Sequence, residues 1–138
     1  MSATDIAVAR LQQAEGFRGT VYKDIVGKTT IGYGFNVEAG ISQYAALALL
    51  DAQASELAYD LSQLDWYSTL DDVRKSVMIE CAFNLGLHGL LQFQQMISAL
   101  RSGNWQGAHD ELLSSKAAQQ LPARYANLAK LLLTGVSV

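Results

Sequence analysis

Residues 15 to 35 constrain this chain more than any other stretch: Glu15-Gly16-Phe17-Arg18-Gly19-Thr20-Val21-Tyr22-Lys23-Asp24-Ile25-Val26-Gly27-Lys28-Thr29-Thr30-Ile31-Gly32-Tyr33-Gly34-Phe35. A helical pattern runs into Glu15 and stops at Gly16. The segment that follows is dense in Gly, Thr and aromatics, residue types that favour strands and tight turns. It predicts a small sheet over residues 17 to 36, with a turn at Ile25-Val26-Gly27-Lys28. Most of what remains reads as helix. The fold class is therefore α+β, with one small sheet near the N-terminus.

The same stretch concentrates groups able to do chemistry. Glu15 sits at a helix C-terminus, whose partial negative charge disfavours a carboxylate. Phe17 and Val21 flank it and are expected to desolvate it further. Both effects favour the protonated form, which is a general acid. Asp24 precedes the turn, where exposure keeps a carboxylate ionised. Thr30 lies on the return strand within cross-hairpin reach of Asp24, and its hydroxyl can orient a water. Two carboxyls whose environments push their acidities apart divide acid and base roles, as glycosidases require. Taken singly, each of these residues reads more simply as a surface group.

With 138 residues, half of them hydrophobic, and a single proline, the chain reads as one domain with a real core. Net charge is -3, unevenly spread. Residues 38 to 72 carry seven acids and no Lys or Arg, whereas residues 73 to 138 carry six Lys or Arg and three acids. The basic part suits an anionic polymer, or else the acidic segment is simply a solvated face. So few clustered cations argue against nucleic-acid binding. Cys81 is alone, so no internal disulfide forms, and its apolar neighbours predict a buried residue rather than a nucleophile. No His-Glu-x-x-His or paired-Cys pattern suggests a metal, and no cofactor is expected. No Lys or Arg precedes position 10 and no apolar run reaches membrane-spanning length. A leader and stable membrane insertion are thus not expected.

Along the chain, residues 3 to 15 predict a helix capped by Ser2 or Thr4. Ser42 caps a second over 43 to 62, with Leu47, Leu50, Ala54, Leu57 and Leu61 at helical spacing. Residues 65 to 70 break the pattern. Asp71 and Asp72 open a helix over 71 to 85 that is apolar nearly all round, predicting burial. A further helix spans 88 to 101 and stops at Gly103. Asn104 caps a short one through Leu113. Pro122 suits the first turn of a last helix ending near Thr134-Gly135.

Glu15, Asp24 and Thr30, set in E-G-F-R…V-Y-K-D…G-K-T-T-I-G-Y-G, resemble the T-even phage lysozyme family, glycoside hydrolase family 24. Phe83-Asn84-Leu85-Gly86, Trp105 with Ala108, and residues 119 to 126, with one substitution, Tyr125 between Arg124 and Ala126, also resemble its motifs, so the likeness runs from about residue 3 to 135. The resemblance implies a lysozyme-like fold. A small lobe over about 1 to 40 carries the hairpin, a connecting helix spans 41 to 62, and a helical lobe covers 63 to 138. Helix 3 to 15 is expected to pack on the helical lobe, and the cleft to hold a glycan strand.

It further implies a muramidase that cleaves the β-1,4 bond between N-acetylmuramic acid and N-acetylglucosamine, with inversion. Glu15 is then the acid, while Asp24 and Thr30 position the attacking water. Asn84 matches a sugar-contacting position, or else is an ordinary helix-terminal Asn before Gly86. Glu80, one turn earlier, and Lys116 are weaker substrate-binding candidates. The Arg matching Arg124 approaches the catalytic Glu in the family, which would lower the Glu15 pKa against the helix-end effect; the alternative is a surface charge. Phe35 departs from the family, which commonly has His there to support the small lobe.

Such an enzyme is expected to be a monomer, made in the host cytoplasm and acting on the wall after release by a separate route such as a holin. The alternatives are a non-catalytic glycan-binding or virion structural protein on this fold, and a lytic transglycosylase or chitinase.

Overall fold

The computed structural model describes residues 1 to 137 and divides them into two compact units, the first Met1–Ala48 and the second starting at Leu49.

In the first unit, helix α1 (Ala3–Glu15) starts at Ser2 with a reciprocal capping box. The Ser2 hydroxyl accepts from the Asp5 N–H, and the Asp5 carboxylate accepts from the Ser2 N–H at 3.0 Å. The helix ends at Gly16, whose positive φ of 67° suits only glycine comfortably. Strands β1 (Arg18–Lys23), β2 (Thr29–Gly32) and β3 (Phe35–Asn36) follow and form one antiparallel sheet in the order β1-β2-β3. Arg18 pairs with Gly32, but Tyr22 pairs with Thr30. Four steps on β1 thus face two on β2, a bulge that bends the edge strand. The central strand holds Thr30, only 3% exposed. A 3₁₀ turn (Val37–Ala39) follows, capped by Asn36.

Helix α2 (Gln43–Ser62) starts where the Ser42 hydroxyl accepts from the Ala45 N–H at 3.1 Å. Its apolar stripe is not a core face throughout. Leu47 and Leu50 are exposed, while Leu61 is fully buried and Leu57 packs partly on the core.

The second unit is helical. Residues 65 to 70 do not merely break the pattern. They contain the one-turn helix α3 (Asp65–Ser68), which buries Trp66 and Tyr67. Helix α4 (Asp72–Leu91) is capped by the Asp71 side chain. Gly86 kinks it with φ 79°, but helical structure resumes to Leu91. Burial on α4 is one-sided rather than all round. Val77, Met78, Cys81 and Ala82 face the core, whereas Ser76, Glu80 and Phe83 are exposed. The helix expected over 88 to 101 is divided at Gln92-Phe93, with α5 (Gln94–Arg101) beyond. Then come α6 (Trp105–Leu113), α7 (Lys116–Gln120) and α8 (Pro122–Thr134). Helix α6 packs on α5 and α8, and α8 packs on α4. Their shared core includes Leu90, Met96, Leu100, Leu112, Leu128 and Leu132. Each such side chain contributes about 1.5–3 kcal/mol when fully buried. Burial pushes the Cys81 thiol up to about 12, as befits an inert core residue.

Arg74 closes one end of this bundle. It is 8% exposed. Its Nε donates to the Leu132 carbonyl at 2.7 Å and a terminal nitrogen to the Leu133 carbonyl at 3.1 Å. These are carbonyls of the last turn of α8, which lack helical partners. The guanidinium also pairs with Asp71 at 2.7 Å and lies 3.8 Å from the Trp105 ring centroid. One side chain therefore ties the start of α4, the start of α6 and the end of α8.

Candidate active site

The first unit assembles the hairpin candidates. Glu15 is the last residue of α1, and its carboxylate lies against the backbone of Gly34. A Cβ at Gly34 would sit 2.6 Å from Glu15 Oε2 and 2.9 Å from its Cδ. Gly34 also has φ 77°, so the β2–β3 turn needs glycine there for conformation as well as space. Phe17 and Tyr33 pack with their rings tilted by 52° and centroids 5.5 Å apart, joining the segment after α1 to that turn. The expected desolvation of Glu15 by Phe17 and Val21 does not occur. Both are more than half exposed, and Glu15 is exposed too, because the pleat and bulge of β1 turn Val21 outward.

Asp24 is half-buried rather than fully exposed, because its side chain folds into the turn that it starts. One oxygen, Oδ1, accepts from the N–H groups of Val26 at 3.0 Å and Lys28 at 2.8 Å. Its own N–H donates to the Lys28 carbonyl at 3.0 Å. Thr30 Oγ1 donates to that same carbonyl at 2.8 Å. Asp24 and Thr30 are thus joined through the Lys28 residue rather than directly. Period-two alternation puts them on one face of the hairpin, since Thr30 pairs with Tyr22, two residues before Asp24. The arrangement has a chemical consequence. Asp24 Oδ2 has no partner among the described residues, and the Thr30 proton is committed to Lys28, leaving the hydroxyl oxygen to accept.

Glu38 also belongs here, although no sequence pattern singled it out. Its Oε2 accepts from the Thr29 N–H at 2.6 Å and lies 3.9 Å from Lys23 Nζ. Lys23 Nζ in turn donates to Thr29 Oγ1 at 2.6 Å. Hydrogen bonds from Thr29 hold the Glu38 carboxyl below its ordinary value. The trio fastens the hairpin immediately beside Asp24 and Thr30.

We expect Gly34→Ala to lose both order and activity. The left-handed backbone costs about 1–2 kcal/mol for a residue with a Cβ. The methyl displaces the Glu15 carboxylate, and a shift of about 1 Å in a reacting group costs on the order of 100-fold in rate. Thermal melts and glycan turnover measured on one preparation check this. Full activity in the folded variant would contradict it.

In the second unit, Glu80 and Asn84 lie one helical turn apart on α4, and each meets a residue at the start of α8. Arg124 Nε donates to Glu80 Oε2 at 2.9 Å, and the Tyr125 hydroxyl donates to Asn84 Oδ1 at 2.6 Å. The ion pair is exposed on both sides, so it orients more than it stabilises. Glu80, Phe83 and Arg124 edge an apolar groove of about 430 Å³, with Leu50 and Ile79 in its wall. Lys116 does not join them. It lines a different hollow with Leu85 and Phe93. Among the described residues, no group of three or more His, Cys, Asp or Glu could hold a metal ion, and no helix is long and apolar enough to cross a membrane.

A helix ending in Glu, a three-stranded antiparallel sheet and a largely helical remainder define an α+β, lysozyme-like protein. The family model described as phage lysozyme matches residues 12–127, a span that includes Glu15, Asp24, Thr30, Asn84 and Arg124. The chain belongs to the phage lysozyme family, and so to the lysozyme-type glycosidases that degrade peptidoglycan. A search of curated proteins returns no match.

Proposed function

We propose that this protein is a muramidase. It hydrolyses the β-1,4 bond between N-acetylmuramic acid and N-acetylglucosamine by general acid catalysis and a positioned water. Glu15 gives a proton to the leaving glycosidic oxygen. Asp24 Oδ2 and the Thr30 hydroxyl oxygen accept hydrogen bonds from a water, whose oxygen attacks the anomeric carbon as its proton passes to Asp24. The C–O bond to the leaving sugar breaks and one reducing end forms. Attack from the opposite face inverts the anomeric centre, a mechanism that requires carboxyls about 6.5–9.5 Å apart. Asn84 contacts the glycan, with Glu80 and Lys116 as weaker candidates for doing so.

One observation carries this reading. The Lys28 peptide groups occupy one oxygen of Asp24 and the proton of Thr30, leaving an acceptor on each. Two acceptors without donors suit a water, which brings two protons.

Reducing-end release from purified peptidoglycan tests it, with the products analysed by NMR. The expected product carries an inverted anomeric centre at a free reducing end. Anhydro ends would assign a lytic transglycosylase, and turnover of chitin in place of peptidoglycan a chitinase. A folded protein that releases no ends would leave glycan binding as the role of this scaffold.

A further inference from the structure

Tyr125, near the start of α8, is fully buried. A phenol placed there needs an acceptor for its proton. The hydroxyl's one partner among the described residues is Asn84 Oδ1, at 2.6 Å, on an exposed side chain. An amide has two ends of nearly equal size and opposite polarity, and exposed asparagines commonly sample both. Here the two ends are not equivalent. With the carbonyl inward, the Tyr125 proton is satisfied. With the NH₂ inward, the phenol faces a donor and loses the one acceptor that it has among the described residues.

We infer that Tyr125 is a positioning residue that holds the Asn84 amide with its carbonyl inward and both N–H groups toward solvent. The exposed end is thereby a fixed donor for the acetamido carbonyl of an N-acetylated sugar. The inference rests on the reading of this protein as a hydrolase of amino-sugar polymer, and it assigns the group that one subsite selects. Burial raises the Tyr125 hydroxyl to about 12, with smaller contributions from neighbouring charges, so the phenol keeps its proton throughout the working range. The neighbouring guanidinium of Arg124 adds donors and no acceptor, while its Nε is occupied by Glu80. Such a donor face discriminates by what the ligand can accept. A sugar hydroxyl donates or accepts, and so tolerates either amide orientation. An acetamido carbonyl only accepts, and is bound well only where the donor end is held outward.

The test is binding of tetra-N-acetylchitotetraose against cellotetraose, which is neutral and carries hydroxyls in place of the acetamido groups. Calorimetry gives the affinities, and the Asn84 side-chain ¹⁵N–¹H signals report the contact. Wild type is expected to prefer the acetylated tetramer and to shift those signals on binding it. Tyr125→Phe keeps the ring and frees the amide. It should lose about 2-fold in affinity for the acetylated ligand, the cost of selecting one of two equal amide orientations, with cellotetraose unchanged. Asn84→Asp still offers an oxygen to the phenol but removes both donors, and should lose the preference. That variant changes an exposed side chain, so it remains informative if Tyr125→Phe folds poorly. A wild type without the preference, or either folded variant retaining it in full, would overturn the inference. The hydrolase reading fails separately: preferential binding with no release of reducing ends removes the hydrolase and leaves the positioning role of Tyr125 standing.

Discussion

Glu15→Gln is expected to reduce reducing-end release from peptidoglycan by several orders of magnitude, and Asp24→Asn to do nearly the same, with both variants folded. The amide introduced by Glu15→Gln fills the same space beside Gly34 but has no transferable proton. Removing a general acid costs about 10²–10⁴ in rate. At position 24, the amide of Asn offers its oxygen to the Val26 and Lys28 N–H groups as Asp does. The turn therefore survives. What changes is the outward atom, where an NH₂ donor replaces the Oδ2 acceptor. A water held there then meets a donor in place of an acceptor, and its proton has no destination. The comparison is selective because the two substitutions leave the local hydrogen bonding nearly intact. Circular dichroism and thermal melts on each variant confirm the fold. Near-wild-type turnover in a folded Glu15→Gln protein would remove Glu15 from the chemistry.

The largest stability effect is expected for Arg74→Met. Methionine keeps the aliphatic stem but no donors. The carbonyls of Leu132 and Leu133 lose their partners at the end of α8, and the Trp105 ring loses the cation over its face. An unsatisfied buried acceptor costs about 1–3 kcal/mol, and a desolvated cation–π contact is worth up to about 2 kcal/mol. A loss of about 3 kcal/mol lowers the melting temperature by on the order of 10 °C for a chain of this size. Arg74→Lys should recover only part of it, because a point charge cannot serve three acceptors in fixed directions.

The pH dependence follows from Asp71. Burial raises its carboxyl, but hydrogen bonds from the Arg74 N–H and guanidinium outweigh burial and hold it below 3.8. A group lowered on folding adds stability above its unfolded value of about 3.9, and that stability is lost as pH falls through the folded value. Wild type should therefore lose this contribution below about pH 4, and Arg74→Met should show a shallower acid limb. Denaturant melts between pH 2 and 7 measure both. An unchanged melting temperature in Arg74→Met would show that the clamp carries no net stability.

What could be read along the chain, and what could not, divides by distance in sequence. Ser2, Asn104, Pro122 and Gly135 set helix ends within three or four residues of themselves, so those boundaries were legible. The strand-turn-strand pattern around Asp24 was legible for the same reason. The one-turn helix α3 was not, because four residues have almost no helical preference of their own. Burial of Trp66 and Tyr67 holds it. Gly86 marks a real kink, but the chain resumes as helix because packing of Leu90 against the core outweighs a single unfavourable backbone position. Short α7 depends likewise on burying Ala117 and Ala118.

The candidate site divides in the same way. Glu15, Asp24 and Thr30 could be singled out as candidates because they lie within one hairpin and its preceding helix, with spacing set by local turn geometry. Bonds between residues far apart in sequence were less visible. Glu38 reaches back nine residues to Thr29, Arg124 meets Glu80 across 44, and Tyr125 meets Asn84 across 41. By itself the sequence determined the helix caps, the β1–β2 hairpin, the placing of Asp24 and Thr30 in it and of Glu15 just before it, because those depend on φ/ψ preferences and contacts a few residues apart. Only tertiary structure decided which end of Asn84 meets Tyr125 and what closes the C-terminus of α8. Each depends on where a distant donor comes to rest, and packing of the whole chain sets that position.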